Sequence, residues 1–562
     1  MTNMLLRLNY EHFFNGNETI QELLEPLNKM YLLRAVSYLI NKSKFEKDSI
    51  LTISNWFKNP ILQSEFIAKA KENGSILNIY SSLKLLTYIY EKDENVPEVA
   101  INTDEFELRL FKIYLLINSE QDKIEKAGKI NLPIEDKDQY LSASLLILSY
   151  HDYDLQNYDL KDIFLVQLIK SIDFFQFLEK DYKLSNHLNL FLSNYNCKTW
   201  KEWIFKLLNL IIPVLNHDNE TYSEIRFEEN ENFVTNSSFI NFFTIPIDYN
   251  ELPDFVNLRS NPILKIDKKT FIIINKLFLV ERIFKSVIFE FSLKINSNVI
   301  DEFKLKNFRA IYCDHFSEQI MLYNVLKCCF PKNNKWIKFT GEDFKKLGYS
   351  AEPDYYIRFK NKILLFESKD VILKGDVKQS RDFSILSKSL KEKFLIDKNS
   401  NKAILQIIEN IHRFFSLSYD KIDNCYNVSS INIYPILVTH DRQFDTLELN
   451  RLINIWFKKE LKAKFNLEQL SKINDLVIIN IDTLILYQEH FKKRGEYGLE
   501  IMIKKYFDYI TPRPTRTLKE KTQIYLDTAI SFSNYVERKF DHTNFKTQPS
   551  FIDDYIEKLD LK

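Results

Sequence analysis

Glycine and proline are scarce in this chain of 562 residues, which contains 8 Gly and 14 Pro. Because these residues interrupt helices and make up flexible linkers, their scarcity excludes a collagen-like or linker-rich protein and favours long helices. Hydrophobic residues make up 45% of the chain and include 45 Phe and 30 Tyr. A chain of this length and apolar content predicts two or three folded domains with cores of their own.

Cysteine and long apolar segments are also lacking. The 5 Cys include no CxxC pair and no His at zinc-ligand spacing, so the sequence suggests neither a disulfide framework nor a structural zinc site. No uncharged apolar run reaches about 18 residues, and the first residues lack the apolar core and small-residue cleavage site of a signal peptide. We therefore expect a cytoplasmic protein that neither spans nor binds a membrane.

A net charge is absent as well, since 77 basic residues balance 77 acidic ones. The overall balance therefore gives no sign of a nucleic-acid surface, and any such surface must be local. Between Arg358 and Lys402, twelve Lys or Arg stand against six Asp or Glu. A second basic stretch contains Lys504, Lys505, Arg513, Arg516, Lys519 and Lys521. Each of the two stretches fits either a nucleic-acid surface or an ordinary solvated face.

The spacing of apolar residues changes along the chain. Three- and four-residue spacing over residues 1–215 predicts a large irregular helical domain. Residues 216–300 predict a loop-rich connector with a helix and short strands, including a strand pair at Thr270–Val280. Strands and helices alternate over residues 301–490, and residues 491–562 return to helix. We therefore predict a mixed fold (α+β or α/β), in which a mixed central sheet lies between an α-helical N-terminal domain and a helical C-terminal tail.

The segment AEPDYYIRFKNKILLFESKD, in the middle of the α/β region, carries the candidate chemistry. Two apolar runs flank Lys360 and Asn361, which predicts a hairpin with a two-residue turn. The register set by that turn pairs Asp354 with Glu367. Opposed residues have β-carbons roughly 5 Å apart, so the two carboxylates can share one divalent cation. Lys369 follows two residues later and lies on the same face.

These three side chains suit the hydrolysis of a phosphodiester. Two carboxylates held so close raise the pKa of one of them unless a cation neutralises them. A bound Mg²⁺ would polarise the phosphoryl oxygen and offset charge on the leaving oxygen, while an adjacent ammonium orients water and stabilises the pentavalent state. The sequence therefore predicts Mg²⁺ as cofactor, with Mn²⁺ able to replace it.

The order Pro353-Asp354, twelve residues, then Glu367-Ser368-Lys369 resembles the PD-(D/E)xK nuclease superfamily. The likeness covers residues 301–490 and implies a restriction-endonuclease-like fold, whose core runs helix, three strands, helix, strand. By this resemblance Asp354 and Glu367 would be metal ligands and Lys369 the catalytic lysine. The backbone carbonyl of Ser368 would be a further metal contact.

The resemblance implies two more catalytic positions. Many members place an acid on the preceding helix, where Glu318 matches and would be a further metal ligand. Apolar neighbours at Leu322, Val325 and Cys329 would turn Glu318 inward; alternatively, a helix dipole or an N-terminal amide satisfies it. Branches similar to the RecB nuclease domain carry a functional Gln on the next helix, for which Gln406 is the candidate. The same helix face also fits an ordinary solvent-exposed stripe.

The spacing of the motif is not specific by itself. Asp122, twelve intervening residues and then Glu135-Asp136-Lys137 repeat it, but that spacer is polar and contains Gly and Pro, so it cannot form two buried strands. Three histidines, His315, His412 and His440, could approach the site in space, although ordinary polar contacts would explain each of them equally simply.

We predict a metal-dependent nuclease, specifically a DNA endonuclease, with DNA favoured over RNA as substrate. The N-terminal helical domain would bind a target, a protein partner or a second copy of the chain. A role in bacterial restriction or antiphage defence follows from the resemblance and from a composition rich in Lys, Asn, Ile and Phe. Two alternatives stay open: a catalytically inactive nuclease-fold scaffold for nucleic-acid binding or assembly, and a purely structural helical protein.

Overall fold

The chain forms two compact units, and neither is continuous in sequence. The predicted four-part division stays a prediction, because units defined by contacts need not be domains that fold separately. The computed structural model describes residues 6–44, 46–71, 74–92, 96–216, 222–228, 233–246, 249–331, 336–493, 495, 498–541 and 551–560. The first unit consists of Met1–Ala127, Leu155–Ser171 and Tyr182–Phe303, and the second of Gly128–Asp154, Ile172–Asp181 and Lys304–Lys562.

Helices dominate the chain before Lys304. Several begin at polar caps: the side chains of Asn28, Asp48 and Asn78 each accept a hydrogen bond from a backbone N–H of the first turn, which stabilises the helix end. The α-helices are Ile20–Leu24, Lys29–Ser43, Ser49–Trp56, Pro60–Lys69, Ile79–Tyr90, Thr103–Gly128, Lys137–Ser149, Tyr153–Gln156, Leu160–Lys180, Tyr182–Asn194, Trp200–Asn216, Phe233–Asn241, Val256–Ser260, Lys276–Glu281, Lys285–Glu290 and Asn296–Asn298. A π-helix spans Phe291–Ile295, and 3₁₀ turns span Tyr10–His12, Lys129–Asn131 and Pro253–Phe255.

The first unit also contains a small antiparallel sheet, in which Thr270–Ile273 pairs with Ser223–Arg226 and with Ile263–Lys265. The predicted strand pair at Thr270–Val280 is therefore wrong in its second half. The side chain of Asn275 accepts hydrogen bonds from the N–H groups of Leu277 and Phe278 and starts a helix there. Elsewhere in the unit, Leu6–Arg7 pairs in parallel with Gly74–Ser75.

The second unit is built around a five-stranded sheet. Its strands are β1 (Ile337–Thr340), β2 (Tyr355–Phe359), β3 (Lys362–Lys369), β4 (Asn432–Thr439) and β5 (Val477–Asn480). In space they lie in the order β5-β4-β3-β2-β1. Neighbours among β1, β2 and β3 are antiparallel, whereas β3, β4 and β5 are parallel. The predicted mixed α/β class with a mixed central sheet is thus confirmed.

The interior strand β4 contains a proline, which sheets rarely tolerate because proline has no N–H to donate. Seven of its eight residues are buried, as expected for a parallel strand covered on both faces. Its partner β5 pairs only with Ile436–Thr439, so Pro435 lies just outside that ladder. The missing donor therefore falls between that ladder and the isolated pairing of Ile433 with Ile473.

Helices cover the sheet. A continuous helical run, α1, combines Phe308–Ile311, the π-helix Tyr312–Leu322 and Tyr323–Cys329. The sequence predicted an ordinary helix here, because side-chain periodicity alone does not reveal a change to π geometry. No helix among the described residues has the length and apolar character needed to cross a membrane.

The other helices used below are α2 (Phe383–Phe394), α3 (Ala403–Phe415) and α4 (Leu449–Lys464). The helix α3 carries Ile404, Ile407, Ile408, Ile411 and Phe414 into the core at three- and four-residue spacing. The remaining helices after Lys304 are Gly341–Lys346, Gly375–Gln379, Leu467–Leu470, Ile481–Lys493, Leu499–Ile510, Leu518–Thr528, Phe532–Asp541 and Phe551–Lys558, with a 3₁₀ turn at Arg442–Phe444 and a short strand pair at Ile396–Asp397 and Ser400–Asn401.

A buried ion pair anchors β2. The carboxylate of Asp423 accepts hydrogen bonds from Nε of Arg358 at 2.5 Å, from its NH2 at 2.9 Å and from the hydroxyl of Tyr356 at 2.7 Å. The side chains of Arg358 and Asp423 are 8% and 1% exposed. Burial favours the neutral acid, but the hydrogen bonds from Arg358 and Tyr356 outweigh it and lower the pKa of Asp423. Asp423, a loop residue, therefore holds both Tyr356 and Arg358 of β2 in place.

We expect D423N to lower the free energy of unfolding by about 3 kcal/mol at pH 7, because the buried guanidinium would lose its countercharge. Urea denaturation monitored by circular dichroism measures this loss. D420N, which changes an exposed acid in the same loop, is the matched control. Since the pKa of Asp423 is lowered in the folded state, the stabilisation is present at neutral pH and decreases as the acid becomes protonated. Equal stability of the two variants would contradict the assigned role.

Candidate active site

The hairpin formed by β2 and β3 has the register that the sequence predicts. Tyr355 pairs with Phe366, and Phe359 pairs with Lys362 across a turn at Lys360 and Asn361. Lys360 has φ of +53°, in the left-handed region, which such a tight turn requires. Asp354, the residue before β2, therefore comes level with Glu367 on β3.

A direct hydrogen bond locks this alignment. The backbone N–H of Ser368 donates to Oδ2 of Asp354 at 2.6 Å. The main-chain oxygen of Asp354 accepts a second bond, from the N–H of Gly341 at 2.9 Å. Both the side chain and the backbone of Asp354 are thus held in place.

Glu367 and Lys369 lie on one face of β3, as strand alternation requires. Nζ of Lys369 donates to Oε1 of Glu367 at 2.6 Å. The side chain of Glu367 is 4% exposed and that of Lys369 is 22% exposed, so Lys369 is the less buried of the two. The predicted acid and amine therefore converge at the end of the hairpin.

Glu318 approaches the same group from α1. The hydroxyl of Tyr323 donates to its Oε1 at 2.8 Å. In a π-helix, backbone hydrogen bonds join residues five positions apart, so Tyr323 lies next to Glu318. In an α-helix these two residues would not be direct neighbours. The alternative of an acid satisfied by the start of its helix does not hold, because Glu318 follows two full turns of helical chain.

The four ionisable groups are electrostatically coupled. Burial, followed by repulsion from Asp354, raises the pKa of Glu318 to about 7 and that of Glu367 to about 8. Burial also raises the pKa of Asp354, although Lys369 and the Ser368 N–H oppose the shift. For Lys369, burial alone would lower the pKa, but attraction by Glu367, Asp354 and Glu318 raises it overall. We call Glu318, Asp354, Glu367 and Lys369 the carboxylate cluster.

The opposite face of β3 carries a second set of contacts that sequence reasoning missed. Asp370 accepts hydrogen bonds from Arg309 and, at 2.6 Å, from the hydroxyl of Ser317, both of which belong to α1. These bonds fix α1 against the end of β3 and so position Glu318. The available signal was strand alternation, which places Asp370 on the face opposite Glu367.

One of the three histidines considered above reaches this region. Nε2 of His440, the residue after β4, lies 2.8 Å from Oγ of Ser368, and its Nδ1 lies 3.9 Å from Oδ2 of Asp370. The side chain of Ser368 therefore points away from the cluster. The role predicted for its backbone carbonyl stays a prediction. His315 instead contacts Gln319 on the exposed side of its helix.

Gln406 lies in the first turns of α3, which connects β3 with the parallel strand β4. Since α3 returns the chain to the start of β4, its first turns lie toward the end of β3 that bears Glu367 and Lys369. Oε1 of Gln406 is buried and has no hydrogen-bond partner among the described residues. The exposed-stripe interpretation therefore does not describe this oxygen. No described hydrogen bond joins Gln406 to the carboxylate cluster.

The donor set fits a divalent cation in its chemistry. Carboxylate oxygens are the ligands that Mg²⁺ and Mn²⁺ prefer, and a cation would offset the repulsion that raises the pKa values of the cluster. In the part of the chain that the structure describes, no three His, Cys, Asp or Glu side chains form a ready-made metal site. Each acid instead bonds to a donor of the chain: Asp354 to Ser368, Glu367 to Lys369 and Glu318 to Tyr323.

The chain matches no protein-family model, no curated protein and no solved structure. The geometry and electrostatics of the carboxylate cluster are therefore the evidence that bears on its function.

We expect E367Q to be more stable than the wild-type protein at pH 8.5 in EDTA, by about 1 kcal/mol or more. The pKa of Glu367 is about 8 in the folded state against an ordinary value of 4.5. The folded protein therefore holds an extra proton between these pH values, and its free energy of unfolding falls as the pH rises through them. Glutamine cannot ionise and lacks this fall.

Thermal unfolding from pH 5 to pH 9 measures this difference, which should shrink toward pH 5. E392Q, which changes an exposed acid on α2, is the control and should follow the wild-type pH dependence. A pH dependence of E367Q identical to that of E392Q would show that Glu367 titrates as an ordinary acid.

Proposed function

We propose that the chain is a metal-dependent nuclease of the PD-(D/E)xK type that hydrolyses phosphodiester bonds in DNA. The observation that carries this proposal is the carboxylate cluster, in which three acids and one ammonium are coupled at the end of one hairpin. The order of α1, three strands, helix and parallel strand agrees with a restriction-endonuclease-like core and supports the proposal.

Asp354, Glu367, Glu318 and the backbone carbonyl of Ser368 would hold the cation, Mg²⁺ or Mn²⁺. When bound, such a cation lowers the pKa of coordinated water and offsets charge on phosphate oxygens. The protein buries the acids without a full set of countercharges, which raises their pKa values. A bound cation would lower these pKa values, and the ionised acids would in turn bind the cation more tightly.

Lys369 has a different task. Its raised pKa keeps the amine protonated at neutral pH, so it is suited to donate hydrogen bonds and to stabilise negative charge, and unsuited to accept a proton from water. Its side chain is the more exposed member of the pair with Glu367 and can reach a substrate phosphate. We assign Lys369 to orient the attacking water and to stabilise charge that develops on the phosphoryl oxygens.

A second candidate function has one observation in its favour. The Lys369–Glu367 ion pair at 2.6 Å neutralises one acid without any metal. A catalytically inactive scaffold that keeps the nuclease fold for nucleic-acid binding or assembly would need no more than this. We favour the nuclease, because Glu318 and Asp354 would still repel one another in a metal-free scaffold. Bacterial restriction or antiphage defence is the biological setting that we propose for the enzyme.

Cleavage assays test the enzymatic function. We expect wild-type protein to cleave plasmid or linear DNA in Mg²⁺ or Mn²⁺, and D354N and K369A to be slower by about a hundredfold or more, because each loses a charge that acts on the transition state. K388A, which removes an exposed lysine of α2, should cleave like the wild type. Equal rates for all four proteins would assign the cleavage to a contaminant or to another site.

Metal binding separates the nuclease from the scaffold. We expect Mn²⁺ to raise the melting temperature of the wild-type protein but not that of E318Q/D354N. The increase should be larger at pH 8 than at pH 5.5, because protons compete with the metal for acids whose pKa values are about 7 and 8. Titration calorimetry on the same proteins provides the affinity. A wild-type protein that binds neither Mn²⁺ nor Mg²⁺ at pH 8 would support the scaffold.

A further inference from the structure

A cavity of about 610 Å³ lies in the second unit, and none of its lining residues belongs to the carboxylate cluster. One wall is α4, and another is the loop Thr511-Pro512-Arg513-Pro514-Thr515-Arg516 between two helices. This volume lies within the range that small-molecule sites occupy in proteins. The second basic stretch of the sequence contributes the loop, so the cavity gives that stretch a specific place in the fold.

The lining of this cavity is strongly basic. Only two acidic side chains, Asp138 and Asp475, accompany the basic ones. A concave surface with one dominant sign of charge concentrates ions of the opposite sign. The basic lining residues are Lys137, Arg451, Lys458, Arg513, Arg516 and Lys521.

Three of the six cations are already engaged within the protein. Lys521 lies 2.7 Å from Asp138, and Lys458 lies 2.8 Å from Asp475. Arg451 is buried, pairs with a neighbouring glutamate, and donates from Nε to the carbonyl of Ile510 at 3.0 Å. Arg451 therefore has a structural role, because it stabilises the end of the helix that precedes the loop.

The other three cations, Lys137, Arg513 and Arg516, have side chains with no hydrogen-bond or ion-pair partner among the described residues. All three are exposed at the mouth of the cavity. Prolines on both sides of Arg513 restrict the backbone of the loop, so the guanidinium groups are presented by a stiff segment. Binding through a stiff segment costs less conformational entropy than binding through a flexible one.

We propose that this cavity is a binding site for a phosphate ester. Three uncompensated positive charges match a phosphate group, which carries up to two negative charges, better than a carboxylate, which carries one. Guanidinium groups bind phosphate oxygens through two parallel hydrogen bonds, and the hydroxyls of Thr511 and Thr515 in the same loop add further donors. The cavity is larger than a phosphate ion, which leaves room for the organic part of the ester.

A free nucleotide supplies this chemistry in one phosphate chain, whereas the backbone of a nucleic acid supplies it as successive phosphodiesters that each carry one negative charge. Two probes distinguish them: ATP, followed by titration calorimetry, and a fluorescein-labelled single-stranded 12-mer DNA, followed by anisotropy. All measurements use the full chain in EDTA, where metal-dependent cleavage cannot occur. The outcome is therefore independent of whether the protein is a nuclease.

The test variant is R513A/R516A, and the matched control is K504A/K505A. The control removes two exposed charges from the same basic stretch, at positions that do not line the cavity. Neither pair makes a side-chain hydrogen bond or ion pair among the described residues, so both variants should melt like the wild-type protein. R513K/R516K keeps the charges without the planar forks and should recover part of the affinity.

We expect R513A/R516A to bind the relevant probe at least about a hundredfold more weakly, roughly tenfold for each guanidinium, with less than threefold loss in the control. Loss confined to ATP identifies a free nucleotide. Loss of DNA binding identifies the nucleic-acid backbone as the ligand. In that case the slope of log K against log salt should also decrease in magnitude by about 1.4, because two phosphate contacts are lost. Three outcomes would overturn the proposal. The wild-type protein could bind neither probe, R513A/R516A and K504A/K505A could lose affinity equally, or R513K/R516K could bind no better than R513A/R516A.

Discussion

The antiparallel pairing of β2 with β3 is the constraint on which the candidate site depends. A two-residue turn at Lys360 and Asn361 leaves one register open, and that register brings Asp354 level with Glu367. The parallel ladder between β3 and β4 covers the other side of β3 and holds it in the middle of the sheet. Asp354, Glu367 and Lys369 are therefore attached to a hairpin that is hydrogen-bonded into the sheet, which limits how far they can move apart to reduce their repulsion.

The side chains on the two faces of β3 have different roles in the candidate site. Glu367 and Lys369 lie on the face that gathers the acids, whereas Ser368 and Asp370 bond to His440 and to α1 on the other. This second set of bonds is structural, but the position of Glu318 depends on it. The proposed chemistry thus requires residues that would not touch a substrate.

A net charge of zero conceals a strong separation of charge within the second unit. Acids are concentrated at the end of β3, where burial raises their pKa values, and uncompensated cations are concentrated at the cavity beside α4. Charges interact mainly with near neighbours at physiological salt, and the two regions share no residue, so each has a local charge that the total does not reveal. The overall composition of a chain is therefore a poor guide to whether it binds anions.

The sequence by itself determined the strands, the hairpin register and the convergence of Asp354, Glu367 and Lys369, because alternation and turn length are local properties. Tertiary structure alone decided the π geometry that joins Glu318 to Tyr323, and the bonds from α1 to Asp370. It also assembled the basic cavity from Lys137, Arg451 and Arg513, which are far apart in the chain. Packing brings such residues together, and no spacing pattern records which distant segments will meet.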